Sequence, residues 1–83
     1  MIETARSALV RGDASGALAV LSRHASAFPR GQLSETREAL AIQALARLGR
    51  GAEARSRAER FRRDYPSSVY QSVVDEATGT ISP

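Results

Sequence analysis

The stretch SAFPRGQL (residues 26–33) contains an aromatic residue followed by proline, and the same combination recurs 37 positions later within RDYPSSVY. The two pairs are Phe28 with Pro29 and Tyr65 with Pro66. Because proline disfavours helical geometry in the residue before it, each pair is expected to end a helix. The recurrence indicates that one helical arrangement occurs twice in this chain.

The same offset of 37 residues superimposes small residues at two further points, Gly12 on Gly49 and Ala17 on Ala54. Glycine permits the positive φ that a tight turn between two helices requires. Alanine has a small side chain and so lets two helix axes approach closely. We therefore expect two copies of a helical pair, each closed by an aromatic–proline stop, lying side by side.

Apolar residues recur at helical spacing in five segments, and no segment alternates with period two for long enough to form a strand. The sequence therefore predicts an all-α fold. The first helix of the second pair is apolar on two sides, so we expect it at the centre of the domain. The expected bounds are about 2–28 for hairpin 1, about 33–65 for hairpin 2, about 68–78 for an additional helix and 79–83 for a tail.

Several polar and glycine residues mark the expected helix ends. Asp13 is a good N-cap for the second helix. Gly49 is well placed as a left-handed residue after the third helix, and Gly79 should end the fifth. Ser67 or Ser68 is the expected cap at the start of the fifth helix.

Four large apolar residues are expected to dominate the core, namely Leu40, Leu45, Phe61 and Phe28. A chain of 83 residues buries a modest fraction of its surface, so each of these residues should matter for stability.

The composition is that of an ordinary globular domain, with 42% hydrophobic and 25% charged residues. The absence of cysteine excludes disulfides, thiolate metal sites and a cysteine nucleophile, and it suits the cytoplasm and the periplasm equally. No secretory signal is visible, and no apolar run approaches the roughly 18 residues of a membrane span. We therefore predict no membrane insertion by this segment.

Few residues of this sequence suggest a catalytic, cofactor-binding or metal-binding site. His24 is the only histidine, and the sequence offers no nucleophile with an orienting carboxylate to make it a catalytic base. Glu35 and Glu38 lie in the first turns of a helix, where negative charge suits the helix dipole. The sequence thus predicts neither an enzyme nor a cofactor or metal site.

The glycine, alanine and proline positions resemble those of the tetratricopeptide repeat family. The segment LGRGAEARSRAERFRRDYPSS looks like the second half of a repeat plus the following turn. FPRGQL and ETREALAIQALARLGR are similar to the longer-period repeats of bacterial envelope proteins, since the period here is 37 against about 34 in the standard repeat. The resemblance implies a short right-handed solenoid of antiparallel hairpins. It also implies a non-enzymatic protein–protein interaction or scaffolding module within a larger bacterial protein or assembly.

In this family the first helix of each hairpin lines a concave groove. Carried onto this sequence, the groove would present Arg6, Thr36, Ala39, Gln43 and Arg47. Hydrogen-bonding groups and two guanidinium groups suit a peptide backbone or an acidic side chain. The implied partner is therefore a protein or a peptide.

The fifth helix carries apolar residues on more than one side, and no sixth helix follows to cover them. Val69, Tyr70, Val73 and Val74 are expected to form an exposed association edge. Such an edge predicts a homodimer or docking onto another domain.

Arginine accounts for all 12 basic residues, the net charge is +3, and seven arginines fall between residues 47 and 63. One interpretation is a basic helical surface that binds nucleic acid. The favoured interpretation is a solvated face with ion pairs four residues apart, because stacking aromatic residues and a nucleic-acid motif are both missing. The expected pairs are Glu53–Arg57, Glu59–Arg63 and Arg60–Asp64.

Overall fold

The chain folds into five α-helices in the computed structural model, which describes residues 2–29, 31 and 33–79. The helices are α1 (Ile2–Val10), α2 (Ala14–Ala27), α3 (Ser34–Arg47), α4 (Gly51–Asp64) and α5 (Gln71–Thr78). The described residues contain no strand, so the all-α prediction is confirmed. The Cα radius of gyration is 11.8 Å, in agreement with the value of about 12 Å expected for one compact domain of this length.

Most of the predicted helix ends coincide with those of the structure. The Asp13 carboxylate accepts a 2.9 Å hydrogen bond from the Gly16 backbone N–H, which makes Asp13 the N-cap of α2. Gly49 follows α3 with a φ of 78° and Gly79 follows α5 with a φ of 71°, both in the left-handed region. Residues 80–83 of the predicted tail lie outside the described residues.

The start of α5 differs from the prediction. The helix begins at Gln71, so Val69 and Tyr70 belong to the preceding turn. The Ser68 hydroxyl does not cap the helix, and instead accepts a 3.0 Å hydrogen bond from the Tyr70 backbone N–H within that turn. Ser67 forms no side-chain cap either.

The backbone of the turns recurs at an offset of 37 residues. Gly12 has a φ of 84° where Gly49 has 78°. Phe28 has φ and ψ of −135° and 65°, and Tyr65 has −132° and 64°. The hydrogen bonds recur as well, since Asp13 N donates to Ala8 O over 2.8 Å and Arg50 N donates to Leu45 O over 2.9 Å.

Helix α3 contacts all four other helices, as its two apolar sides predict. One side contributes Leu40, Ala41 and Ala44 to a cluster with α1 and α2. The other contributes Ala39, Ile42 and Leu45 to a cluster with α4 and α5. In addition, α1 packs on α2, and α4 packs on both α3 and α5.

Three of the four expected core residues are buried, namely Leu40, Leu45 and Phe61. The prediction for Phe28 is wrong, because 53% of this residue is exposed. Its ring lies beside His24, with 5.3 Å between the ring centroids, and it is the imidazole that is buried.

Candidate interaction groove

Helices α1, α3 and α5 border an open depression of about 480 Å³. Arg6 from α1 and Gln43 and Arg47 from α3 line this depression together, and so does Ala39. Three of the polar residues expected at a concave face are thus brought to one place by the packing of α3 against α1. We call this depression, with the neighbouring one described next, the groove.

A second depression of about 470 Å³ continues the groove toward α5. It shares Gln43, Arg47 and Val73 with the first depression and adds Glu76. The groove therefore has two guanidinium groups toward α1 and one carboxylate toward α5.

Thr36, the remaining predicted groove residue, lines neither depression. Its hydroxyl lies 3.1 Å from the Tyr70 hydroxyl, and this hydrogen bond joins α3 to the turn before α5. The Thr36 side chain therefore connects α3 to this turn and does not lie with the two arginines in the groove.

Arg47 is held in place by α1. Its Nη1 donates a 2.7 Å hydrogen bond to the Leu9 backbone oxygen at the end of α1, and this oxygen also accepts a 3.0 Å hydrogen bond from the Gly12 N–H. A cation is also favoured there by the helix dipole. The guanidinium is therefore tethered to the end of α1.

Arg6 and Gln43 are held less firmly. The Arg6 guanidinium contacts Glu3 over 3.1 Å, with 47% and 82% of the two side chains exposed, and an exposed pair of this kind contributes little. Gln43 is half-buried, and its amide has no hydrogen-bond partner among the described residues. A primary amide that both donates and accepts is thus available on the floor of the groove.

The apolar side of the groove escaped the sequence-based prediction. Leu9, Val10 and Leu40 line the same depression as the arginines, and 83% of Val10 is exposed. The sequence does carry a signal for Val10, because it lies 37 residues before Arg47 and so occupies the matching position on α1.

The predicted association edge is wrong for Val74. This residue is fully buried and packs in the cluster of Phe61, because the α5 face that carries it turns toward α3 and α4. Val73 and Tyr70 are half-buried at the groove, which leaves Val69 as the one highly exposed member of the predicted set. The four residues do not form one continuous exposed apolar surface.

The arginine-rich segment also differs from the expectation. None of the three predicted pairs forms in the described structure, and the observed ion pairs use other partners. They are Arg50–Glu53 at 2.6 Å, Arg57–Glu38 at 2.8 Å and Arg62–Asp75 at 2.7 Å. Arg57 reaches α3, Arg62 reaches α5 and Arg47 reaches α1, so these three arginines do not share one surface.

A separate cleft of about 690 Å³ lies between the turn that follows α2 and helix α4, and α3 also lines it. Its charged lining residues are balanced in sign: Arg37, Arg57 and Arg60 against Glu38, Glu53 and Asp64. We call it the α2–α4 cleft.

Arg37, which lines this cleft, is buried and lies beside the buried His24. Arg37 Nη1 donates to the Phe28 backbone oxygen over 2.9 Å and lies 3.5 Å from His24 Nδ1, while Arg37 Nε donates to Glu38 over 3.3 Å. A buried arginine at this position was not predicted. Its position three residues before Leu40 and four before Ala41, on the apolar stripe of α3, is the signal that the sequence offers.

The described residues contain no group of three or more metal-ligating side chains, and none of the described helices is long and apolar enough to cross a membrane. Comparison of the chain with protein-family models, curated proteins and solved structures gave no match.

Proposed function

We propose that this chain is a tetratricopeptide-like interaction module that binds a protein or peptide segment in the groove without catalysing a reaction. The observation that carries the proposal is the convergence of Arg6, Gln43 and Arg47 on one depression with apolar walls. Polar groups converging in a mostly apolar concavity are typical of binding sites.

The hairpin architecture is part of this proposal. It is supported by the matching φ and ψ angles of Phe28 and Tyr65 and by the similar φ angles of Gly12 and Gly49. It is also supported by the packing of α1 on α2 and of α3 on α4, each across a turn of three residues. In such an array α1, α3 and α5 are equivalent first helices, and these are the helices that border the groove.

The chemistry of the groove suits a polypeptide ligand. Every residue of an extended chain presents an N–H donor and a C=O acceptor, and the Gln43 amide matches both. The apolar residues Leu9, Val10 and Leu40 can cover a side chain of the ligand. A polypeptide thus uses the polar floor and the apolar walls together.

Site-specific photo-cross-linking in cells that produce the protein tests this proposal. A benzophenone amino acid replaces Val10 at the groove, and in a matched control it replaces Val69, since both residues are 83% exposed and only Val10 lines the groove. We expect a protease-sensitive adduct from position 10 that is much weaker from position 69.

Other outcomes would contradict the proposal. An adduct that forms mainly from position 69 would locate the interaction at the turn before α5. An adduct from position 10 that nuclease removes would indicate nucleic acid as the partner. Equal labelling at both positions would show that no specific surface is used.

A further inference from the structure

The first depression of the groove is lined by two cations and no anion. Arg6 and Arg47 line it, whereas its remaining lining residues are uncharged. The α2–α4 cleft has as many carboxylates as guanidinium groups among its lining residues. The positive charge of the first depression is therefore a local property, and a ligand with an anionic group complements it.

We infer that the groove receives an extended peptide segment bearing an aspartate or glutamate, whose carboxylate lies between Arg6 and Arg47, and that Glu3 competes with this carboxylate for Arg6. The inference rests on the proposed function, because it names the ligand chemistry of the same groove. It also assigns a regulatory role to an acidic residue of the protein itself.

Arg47 makes the anionic contact favourable because its side chain is already tethered to the end of α1. The hydrogen bond to Leu9 O uses one donor and leaves other guanidinium N–H groups for a carboxylate. A side chain that is fixed before binding loses less conformational entropy when the ligand arrives. Arg47 therefore acts as the principal anchor of the carboxylate.

The arrangement of the helices sets the spacing of the ligand groups. Arg6 on α1 and Gln43 on α3 occupy positions 37 residues apart on neighbouring helices. Packed helix axes are about 8–10 Å apart and an extended chain rises about 3.3 Å per residue, so the two contacts are about three residues apart in the ligand. Leu9 and Val10 lie beside the arginines, which favours an apolar residue next to the acidic one.

Glu3 is the built-in competitor. Its carboxylate is 3.1 Å from Arg6 Nη1, and its side chain is 82% exposed, so a ligand carboxylate must displace it or share Arg6 with it. Removal of the Glu3 charge should free Arg6 and strengthen the binding of an acidic peptide. Glu53 provides a matched control, because it forms the same type of exposed ion pair with Arg50 outside the groove.

The test uses two capped peptides, acetyl-Ala-Asp-Leu-Ala-Ala-Ala-amide and the same peptide with asparagine in place of aspartate. Each is titrated into the ¹⁵N-labelled full chain at about 20 mM NaCl, where charge screening is weak, and amide shifts are followed by NMR. We expect shifts at groove residues and a dissociation constant at least about threefold lower for the aspartate peptide.

Substitutions in the protein identify the residues that cause the preference for the aspartate peptide. Arg47→Gln should abolish the preference for aspartate, whereas Arg47→Lys should retain part of it and Arg55→Gln on the exposed face of α4 should not change it. Glu3→Gln should tighten binding of the aspartate peptide about twofold, and Glu53→Gln should leave it unchanged. Unchanged far-UV circular dichroism and melting temperature exclude unfolding as the cause.

Three outcomes would overturn the inference. Equal affinity of the two peptides in the groove would remove the anionic preference and leave the proposed function standing. Shifts confined to the α2–α4 cleft would place the contact elsewhere. If neither peptide changes the amide shifts of groove residues, the inference also fails. The cross-linking at position 10 then decides whether the proposed function fails too.

Discussion

The contrast between the two phenylalanines is a direct test of the packing. Phe61 is 2% exposed and lies in the cluster formed by α3, α4 and α5, while Phe28 is 53% exposed at the end of α2. We therefore expect Phe61→Ala to destabilise the protein far more than Phe28→Ala, although the two substitutions remove the same atoms.

The magnitudes follow from burial. Truncation of a buried phenylalanine typically costs about 3–5 kcal/mol, because transfer energy is lost and a cavity remains. Full burial of a phenylalanine side chain contributes about 1.5–3 kcal/mol, so the half-exposed Phe28 should cost about 1 kcal/mol. A domain of this length has a free energy of unfolding of about 4–12 kcal/mol. Phe61→Ala thus removes a large part of the total.

Urea unfolding followed by far-UV circular dichroism measures both variants against the unsubstituted protein. With a slope near 1 kcal/mol per molar urea, Phe28→Ala should lower the midpoint by about 1 M. If Phe61→Ala is unfolded without urea, Phe61→Leu provides a measurable loss of about 1–2 kcal/mol. Equal losses at the two positions, or a larger loss for Phe28→Ala, would refute the assignment of Phe61 to the core.

Three further predictions concern buried charge, turn geometry and capping. Arg37→Val should cost about 1–2 kcal/mol in urea unfolding, because it leaves the buried His24 Nδ1 without a partner, whereas the Phe28 oxygen still accepts from Gly31 N and Glu38 still pairs with Arg57. The double variant Arg37→Val with His24→Phe has the residue types found 37 positions later, and it should recover part of this loss of stability. Strictly additive effects of the two substitutions would contradict a coupling between His24 and Arg37. Gly49→Ala should lower the free energy of unfolding by about 1 kcal/mol, because a φ of 78° is strained for any residue with a Cβ. The control Gly51→Ala, in the first turn of α4, should be neutral or stabilising in thermal melts. Asp13→Ala should cost about 1 kcal/mol through loss of the N-cap and Asp13→Asn much less; equal melting temperatures for these two variants would show that the cap contributes nothing.

Local patterns were sufficient to predict the helices. Periodicity located all five, the Asp13 cap and the Gly49 turn followed from intrinsic conformational preferences, and the two-sided apolar pattern of α3 predicted its central position. These features depend on residues close in sequence, which is why they can be derived without coordinates.

Features that depend on packing between helices were not predictable in the same way. Which face of α5 turns inward decides that Val74 is buried, and this is set by α3 and α4 rather than by α5 itself. Likewise, Arg57 pairs with Glu38 on α3 instead of an acid on its own helix. A long side chain can reach several partners at similar distances. Spacing in the sequence shows only the partners on the same helix and not those on a neighbouring helix.

The groove was predictable in part. Three polar residues, Arg6, Gln43 and Arg47, lie together as expected, whereas Thr36 bonds to Tyr70 instead. The contact between Arg47 and Leu9 O spans 38 residues and depends on how α1 ends beside α3, so only the three-dimensional arrangement could reveal it.

The contact between His24 and Arg37 has a consequence for how this chain avoids mispairing. The positions 37 residues later are occupied by Phe61 and Val74, which pack in an apolar cluster. If α3 and α5 exchanged places during folding, or between two neighbouring molecules, Arg37 would lie against the phenyl ring of Phe61, and Val74 would lie against the imidazole of His24. Both exchanged contacts join a polar side chain to an apolar one, which penalises domain-swapped arrangements of the two hairpins.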